Sequence, residues 1–169
     1  GIIGAGYVGL VTGVCLASLG HDVTLRDIDS NKVAALHDGK IPIYEPGLAD
    51  LIVASRERLD FTLDLDRLLE RADLIFIAVD TPPTYSGDAD LSRVMGFVGE
   101  LAAAGADPRH MLIMKSTVPV GTGERVRAEL DAPAVGQPDD GVFATLDQAV
   151  AAAKAASRTT LELDSRKVV

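Results

Sequence analysis

The sequence predicts an α/β protein built on a doubly wound parallel sheet. Three observations carry this reading. Short apolar runs of strand character alternate with helical runs over residues 1–131. Two of those runs, Leu74 to Val79 and Met111 to Met114, are continuously apolar, as strands covered on both faces are. A Gly-x-Gly-x-x-Gly segment, Gly4 to Gly9, lies where the first strand gives way to a helix. Repeated strand–helix–strand units imply right-handed crossovers between parallel neighbours.

Each element has its own signal. Ile2-Ile3 ends at Gly4 and reads as a short first strand. Tyr7 to Leu19 is small and apolar on every side, which predicts a buried helix with Cys15 as an inert thiol in its packing surface. Asp22 to Arg26 forms the second strand, and Arg26 is expected to be a solvated strand end. Ser30 is positioned to cap a helix running to His37, which Gly39 stops. Glu45-Pro46-Gly47 opens the next helix, with Pro46 in its first turn and Glu45 complementing the dipole. Leu59 to Thr62 is a third strand, and Asp66 caps a helix over residues 67–71. After the strand at 74–79, Asp90 caps a helix from Leu91 to Ala104. The last strand at 111–114 is followed by a polar-faced helix from Gly123 to Leu130.

The pattern breaks near Asp131. Residues 132–141 are rich in Pro, Gly and Asp and read as a linker, and Leu146 to Ser157 reads as an Ala-rich helix that docks weakly. The expected organisation is a domain over 1–131, truncated at both ends, and a tail over 132–169. Gly1 opens inside an apolar run, as a fragment would.

Composition excludes several functions. Sixteen Lys and Arg against 25 Asp and Glu leave a net charge of −9, a poor match for nucleic acid or anionic lipid. Aromatic residues make up 4% of the chain and there is no Trp, which argues against base-stacking surfaces. Residues 1–20 carry no charge, yet six of them are Gly and no basic residue precedes them, so neither a membrane span nor a signal peptide is expected. One cysteine fits a reducing, cytoplasmic setting. His21, His37 and His110 lack partners at metal or triad spacing and are expected on the solvated surface, and no metal site is predicted.

The glycine segment has a specific mechanism. Gly4 permits the tight turn, Gly6 lets a diphosphate approach the backbone, and Gly9 lets the helix pack on the sheet. The helix N-terminus supplies N–H donors, so an acidic protein can still bind an anionic ligand. Asp27 ends the second strand 18 residues after Gly9, where a carboxylate would accept a ribose hydroxyl. The combination defines a Rossmann-type dinucleotide site. A carboxylate at that place favours NAD and repels the 2′-phosphate of NADP, and Asp29 adds a second negative charge.

Five segments in register resemble the UDP-glucose/GDP-mannose dehydrogenase family. They are Gly4 to Leu10, Ile43 to Leu48, Thr81-Pro82-Pro83, Ala89 to Ser92 and Lys115 to Thr122. The likeness covers Gly1 to about Leu130. The Pro-Ile-Tyr-Glu-Pro-Gly-Leu form at 42–48 is most similar to members acting on UDP-glucose, with GDP-mannose and UDP-N-acetylmannosamine as close alternatives. The resemblance implies oxidation of a nucleotide sugar's 6-hydroxyl to a carboxylate with reduction of two NAD, in a homo-oligomer. It implies that Val8 and the loop glycines Gly4, Gly6 and Gly9 hold the diphosphate, that Tyr7 belongs to the same cofactor site, that Asp27 holds the adenosine ribose with Lys32 nearby, and that Thr81 lies along the cofactor. Thr117 would sit by the nicotinamide and position the catalytic water. The family's later glutamate segment, nucleophilic cysteine and sugar-binding domain have no counterpart in these 169 residues. A catalytically inert, cofactor-binding piece is therefore the alternative expectation for this chain alone.

Overall fold

The computed structural model describes residues 1–104 and 109–130. Their elements, in order, are β1 (Ile2–Ile3), α1 (Tyr7–Ser18), β2 (Val23–Arg26), α2 (Ser30–His37), α3 (Leu48–Ala54), β3 (Leu59–Thr62), α4 (Leu65–Arg71), β4 (Leu74–Ile77), α5 (Ser92–Ala103), β5 (Met111–Met114) and α6 (Thr122–Leu130). The expected linker and Ala-rich helix lie outside the described residues.

The five strands form one parallel sheet in the order β3-β2-β1-β4-β5. Strand order reverses at β1. Chain connections leave it in opposite directions there, which opens a crevice at the carboxyl ends of β1 and β4. Alternation along the strands divides the core. Ile2, Leu25, Phe61 and Phe76 pack with Leu10, Val14, Val33, Leu36, Leu48 and Ile52 from α1, α2 and α3. Ile3, Ile75 and Ile77 face the other way, onto Leu68 and Leu69 of α4 and Phe97 and Leu101 of α5. Val126 of α6 closes over Val94 and Val98 of α5. Both faces of the sheet are thus covered, which is why β1 and β4 read as unbroken apolar runs.

Several local expectations are corrected. The caps of α2 and α4 are Asp29 and Asp64, not Ser30 and Asp66. The acceptor must stand on extended backbone just outside the helix, where it reaches the second and third N–H groups. Asp29 does so to Asn31 N and Lys32 N at 2.9 and 3.3 Å, and Asp64 does so to Asp66 N and Arg67 N at 3.0 and 3.4 Å. α3 begins at Leu48 with Gly47 as its cap, so Pro46 lies before the helix rather than in its first turn. Asp90 accepts from Ser92 N at 2.9 Å, although α5 begins at Ser92 rather than Leu91.

Cys15 is exposed. α1 is apolar all round but packs by one face only, made of Gly9, Leu10, Gly13, Val14 and Ala17, and Cys15 lies off that face. Arg26 is not a solvated strand end. Its guanidinium pairs with Glu100 of α5 at 2.8 Å, and Nε donates to Leu63 O. Of the three histidines, His37 is exposed yet donates through Nε2 to Phe61 O at 2.7 Å, while His21 and His110 are half-buried. His110 Nε2 meets Leu69 O at 3.1 Å. A polar ring on a strand or helix end finds a free carbonyl as readily as water.

Candidate functional site

The glycine loop is built by close backbone approach. Gly4 has φ +96°, and a Cβ on it would stand 2.6 Å from Ala78 O. A Cβ on Gly9 would stand 1.8 Å from Gly4 O, which no side chain tolerates. Gly6 is different: its nearest neighbour to such a Cβ is Asp80 Oδ1 at 3.8 Å, so the backbone there is open to a ligand. Gly4 and Gly9 therefore make the turn, and Gly6 leaves room above it. Gly4 N donates to Arg26 O and Ala78 N to Ile3 O, both at 2.8 Å, which ties the loop to the strands on either side.

Asp27 follows β2 and is 7% exposed. Oδ2 accepts from Ala5 N and from Lys32 Nζ, each at 2.8 Å, and Oδ1 accepts from Asp29 N at 3.0 Å. Burial alone would push this carboxyl up. The hydrogen bonds from Lys32, Asp29 N and Ala5 N outweigh it and hold Asp27 below its ordinary value. The group is therefore a fixed anion with acceptor capacity left on Oδ1 for one more donor, such as a ribose hydroxyl. Arg26, engaged with Glu100, is not placed as a counter-charge for a 2′-phosphate.

The second half of the site lies beyond β4 and β5. Thr81 Oγ1 donates to Thr117 O at 2.8 Å, so the two predicted threonines meet. Ser116 Oγ donates to Val79 O at 2.7 Å and reinforces the same junction. Thr81 is half-buried and Thr117 is exposed, and the bond uses the Thr117 carbonyl while leaving its hydroxyl unused.

Three features escaped the sequence reading. Ala5 contributes through its backbone, which no residue type announces. Glu45 has a side-chain partner: its Oε2 accepts from Tyr7 Oη at 2.6 Å, and that carboxylate holds the phenol above its usual value. Asp80 pairs with Arg93 at 3.1 Å beside the loop. The Tyr7 and Glu45 positions both stood out in the sequence, but their 38-residue separation hid the pairing.

The groups fit a dinucleotide: a glycine cradle that a Cβ would fill, an opening over Gly6, a buried carboxylate at the end of β2, and hydroxyls across the crevice. They define a dinucleotide-binding domain of Rossmann type. The model of the UDP-glucose/GDP-mannose dehydrogenase family, NAD binding domain, matches residues 1–144, and the chain belongs to that family. Its cofactor is NAD. The UDP-glucose 6-dehydrogenase TuaD of Bacillus subtilis is 46% identical over 134 residues, covering 75% of this chain and 28% of that protein. The UDP-glucose 6-dehydrogenase of Rhizobium meliloti is 49% identical over 128 residues, covering 74% and 29%. Among solved structures, a ternary complex of GDP-mannose dehydrogenase from Pseudomonas aeruginosa superposes with a TM-score of 0.71 at 37% identity, covering 76% of this chain and 30% of that one. The chain thus spans under a third of the length of these relatives. Among the described residues no helix is long and apolar enough to cross a membrane, and no group of three or more His, Cys, Asp or Glu could hold a metal ion.

Proposed function

We propose that this chain is the cofactor-holding part of a cytoplasmic dehydrogenase that oxidises the 6-hydroxyl of UDP-glucose to the carboxylate of UDP-glucuronate with two NAD. One observation carries the reading. The glycine loop, Asp27 and the Thr81–Thr117 pair line one carboxyl edge of the sheet, in a chain 46% and 49% identical to UDP-glucose 6-dehydrogenases. A GDP-mannose 6-dehydrogenase of Pseudomonas aeruginosa stands at 38%, which favours the UDP-sugar.

NAD, when bound, supplies the hydride acceptor. Asp27 orients the adenosine ribose, the N–H groups that open α1 receive the diphosphate, and Lys32 keeps Asp27 ionised. The Thr117 hydroxyl is available to hold a water at the mouth of the crevice. The nucleotide sugar, and a second copy of the protein in the whole enzyme, are the proposed partners.

The chain by itself binds NAD and does not turn over. Aldehyde-level oxidation in this family passes through a thiol adduct, and the one thiol here, Cys15, sits on the solvent side of α1 rather than beside Thr117. Positioning and water exclusion would also be lost, at about 7–11 kcal/mol of barrier reduction. The test follows NADH absorbance with UDP-glucose, GDP-mannose and UDP-N-acetylmannosamine, for the full-length protein and for this chain beside its Cys15→Ser variant. The expected result is turnover by the full-length protein, fastest with UDP-glucose, and none by the chain. Turnover by the chain that Cys15→Ser abolishes would overturn the assignment of the thiol, and preference for GDP-mannose would overturn the substrate.

A further inference from the structure

The net charge of −9 poses a problem for a ligand that carries a diphosphate. The nearest neighbour above Gly6 is a carboxylate, Asp80 Oδ1, 3.8 Å from where a Cβ would stand. The backbone that carries Asp80 is tied to the sheet, and its exposed side chain is paired with Arg93. The segment before it is fixed by Ala78 N to Ile3 O at 2.8 Å and by Ser116 Oγ to Val79 O at 2.7 Å. Its backbone also runs against the loop: Val79 Cα lies 3.3 Å from a Cβ on Gly4. A carboxylate at that distance repels a dianion settling on the Gly6 backbone.

Arg93 answers that charge. It stands in the first turn of α5, and its Nη1 meets Asp80 Oδ2 at 3.1 Å. Asp80 thus has one oxygen toward the loop and the other on a guanidinium. Asp27 is handled in the same way, through Lys32 Nζ at 2.8 Å, so two of the carboxylates on this edge carry a basic partner. An exposed ion pair contributes little to stability. Its significance here is its place, within a few ångströms of the loop over which a diphosphate lies.

We propose that Arg93 is an electrostatic positioning residue of the cofactor site, which neutralises Asp80 so that the diphosphate can settle on the Gly6 backbone. The proposal rests on the NAD reading and extends it to a residue that the glycine motif does not contain. Arg93 acts through Asp80. Its loss therefore matters only while Asp80 is charged, and only for ligands with phosphate.

The experiment is calorimetry at low and high salt on the parent chain and on Arg93→Gln, Asp80→Asn and the double variant, with NAD, ADP and adenosine as ligands. Arg93→Gln is expected to weaken NAD and ADP about three- to tenfold at low salt and to leave adenosine unchanged. Asp80→Asn binds at least as well as the parent. The double variant returns to within about twofold of the parent, and the Arg93→Gln defect shrinks in high salt, as a screened charge effect must. Melting curves check that all four proteins are folded, which the surface position of both side chains favours. An unchanged NAD affinity in Arg93→Gln overturns the proposal. So does a double variant as weak as Arg93→Gln, which would mean that Arg93 touches the ligand itself, and so does an equal loss for adenosine. A parent chain that binds none of the three ligands overturns the cofactor reading and this proposal together, whereas a parent that binds alongside an indifferent Arg93→Gln removes this proposal alone.

Discussion

The two ends of the binding edge are built differently. At the β1–β2 end, the glycine loop and Asp27 are locked together: Ala5 N, Asp29 N and Lys32 Nζ all converge on one carboxylate that is 7% exposed. At the β4–β5 end, the hydroxyls of Thr81 and Ser116 bond to the carbonyls of Thr117 and Val79, and nearby Tyr85 and Val120 stand fully in solvent. The first end is preorganised for the invariant part of a dinucleotide. The second engages the Thr81 and Ser116 hydroxyls with backbone carbonyls and leaves Thr117 exposed. The buried contacts gather at the glycine loop and Asp27, and the exposed side chains gather beyond β4 and β5.

That contrast can be broken most severely at the loop. Gly9→Ala should destabilise the chain by about 3 kcal/mol and abolish NAD binding, because its Cβ would stand 1.8 Å from a backbone oxygen that cannot move aside. Gly96→Ala on α5 has nothing within 4 Å and should stabilise by about 0.5–1 kcal/mol. Urea unfolding of the two variants measures both, and similar effects would show that the loop is not tightly packed. Next in size is Asp27→Ala. It leaves buried donors without an acceptor, so about 1–3 kcal/mol of stability should go, with at least a tenfold loss of NAD affinity by calorimetry.

Acid offers a gentler perturbation of the same end. Asp27 is held below 3.8, so its hydrogen bonds favour the ionised form and stabilise the fold above that pH. The stability gap between the parent and Asp27→Asn should be full at neutral pH and should narrow as pH falls through the lowered value. A gap that widens in acid would reverse the sign of the argument. Smallest is Thr81→Val, which removes the bond to Thr117 O. We expect about 0.5–1.5 kcal/mol, seen as faster amide exchange over residues 115–121, with Thr81→Ser retaining protection.

The same contrast explains what was legible in the sequence. β3 and β5 fall on the predicted residues: Met111 to Met114 is an apolar run with no helical period, and in β3 the apolar Leu59 and Phe61 alternate with Asp60 and Thr62. The glycine spacing was legible because the turn dictates residue type there: Gly4 has φ +96° and a Cβ on Gly9 would meet Gly4 O. Caps were misread by one or two residues at Ser30 and Asp66, since Ser, Asp and Asn compete as acceptors and the backbone conformation decides among them. Cys15 was misplaced because α1 is apolar on all sides, so its composition does not reveal which face packs. The Ala5 N–H to Asp27 bond and the Thr81–Thr117 bond were not legible at all. One depends on a backbone donor, the other on a β4–β5 adjacency that only the folded sheet supplies.

The central claim is that a buried, ionised Asp27 makes this edge an adenosine site for NAD. Calorimetry of the unmutated chain with NAD and NADP tests it most directly, with Asp27→Ala as the control. The account predicts that NAD binds clearly more tightly than NADP and that Asp27→Ala narrows the difference. NADP binding as tightly as NAD, or more tightly, would contradict it.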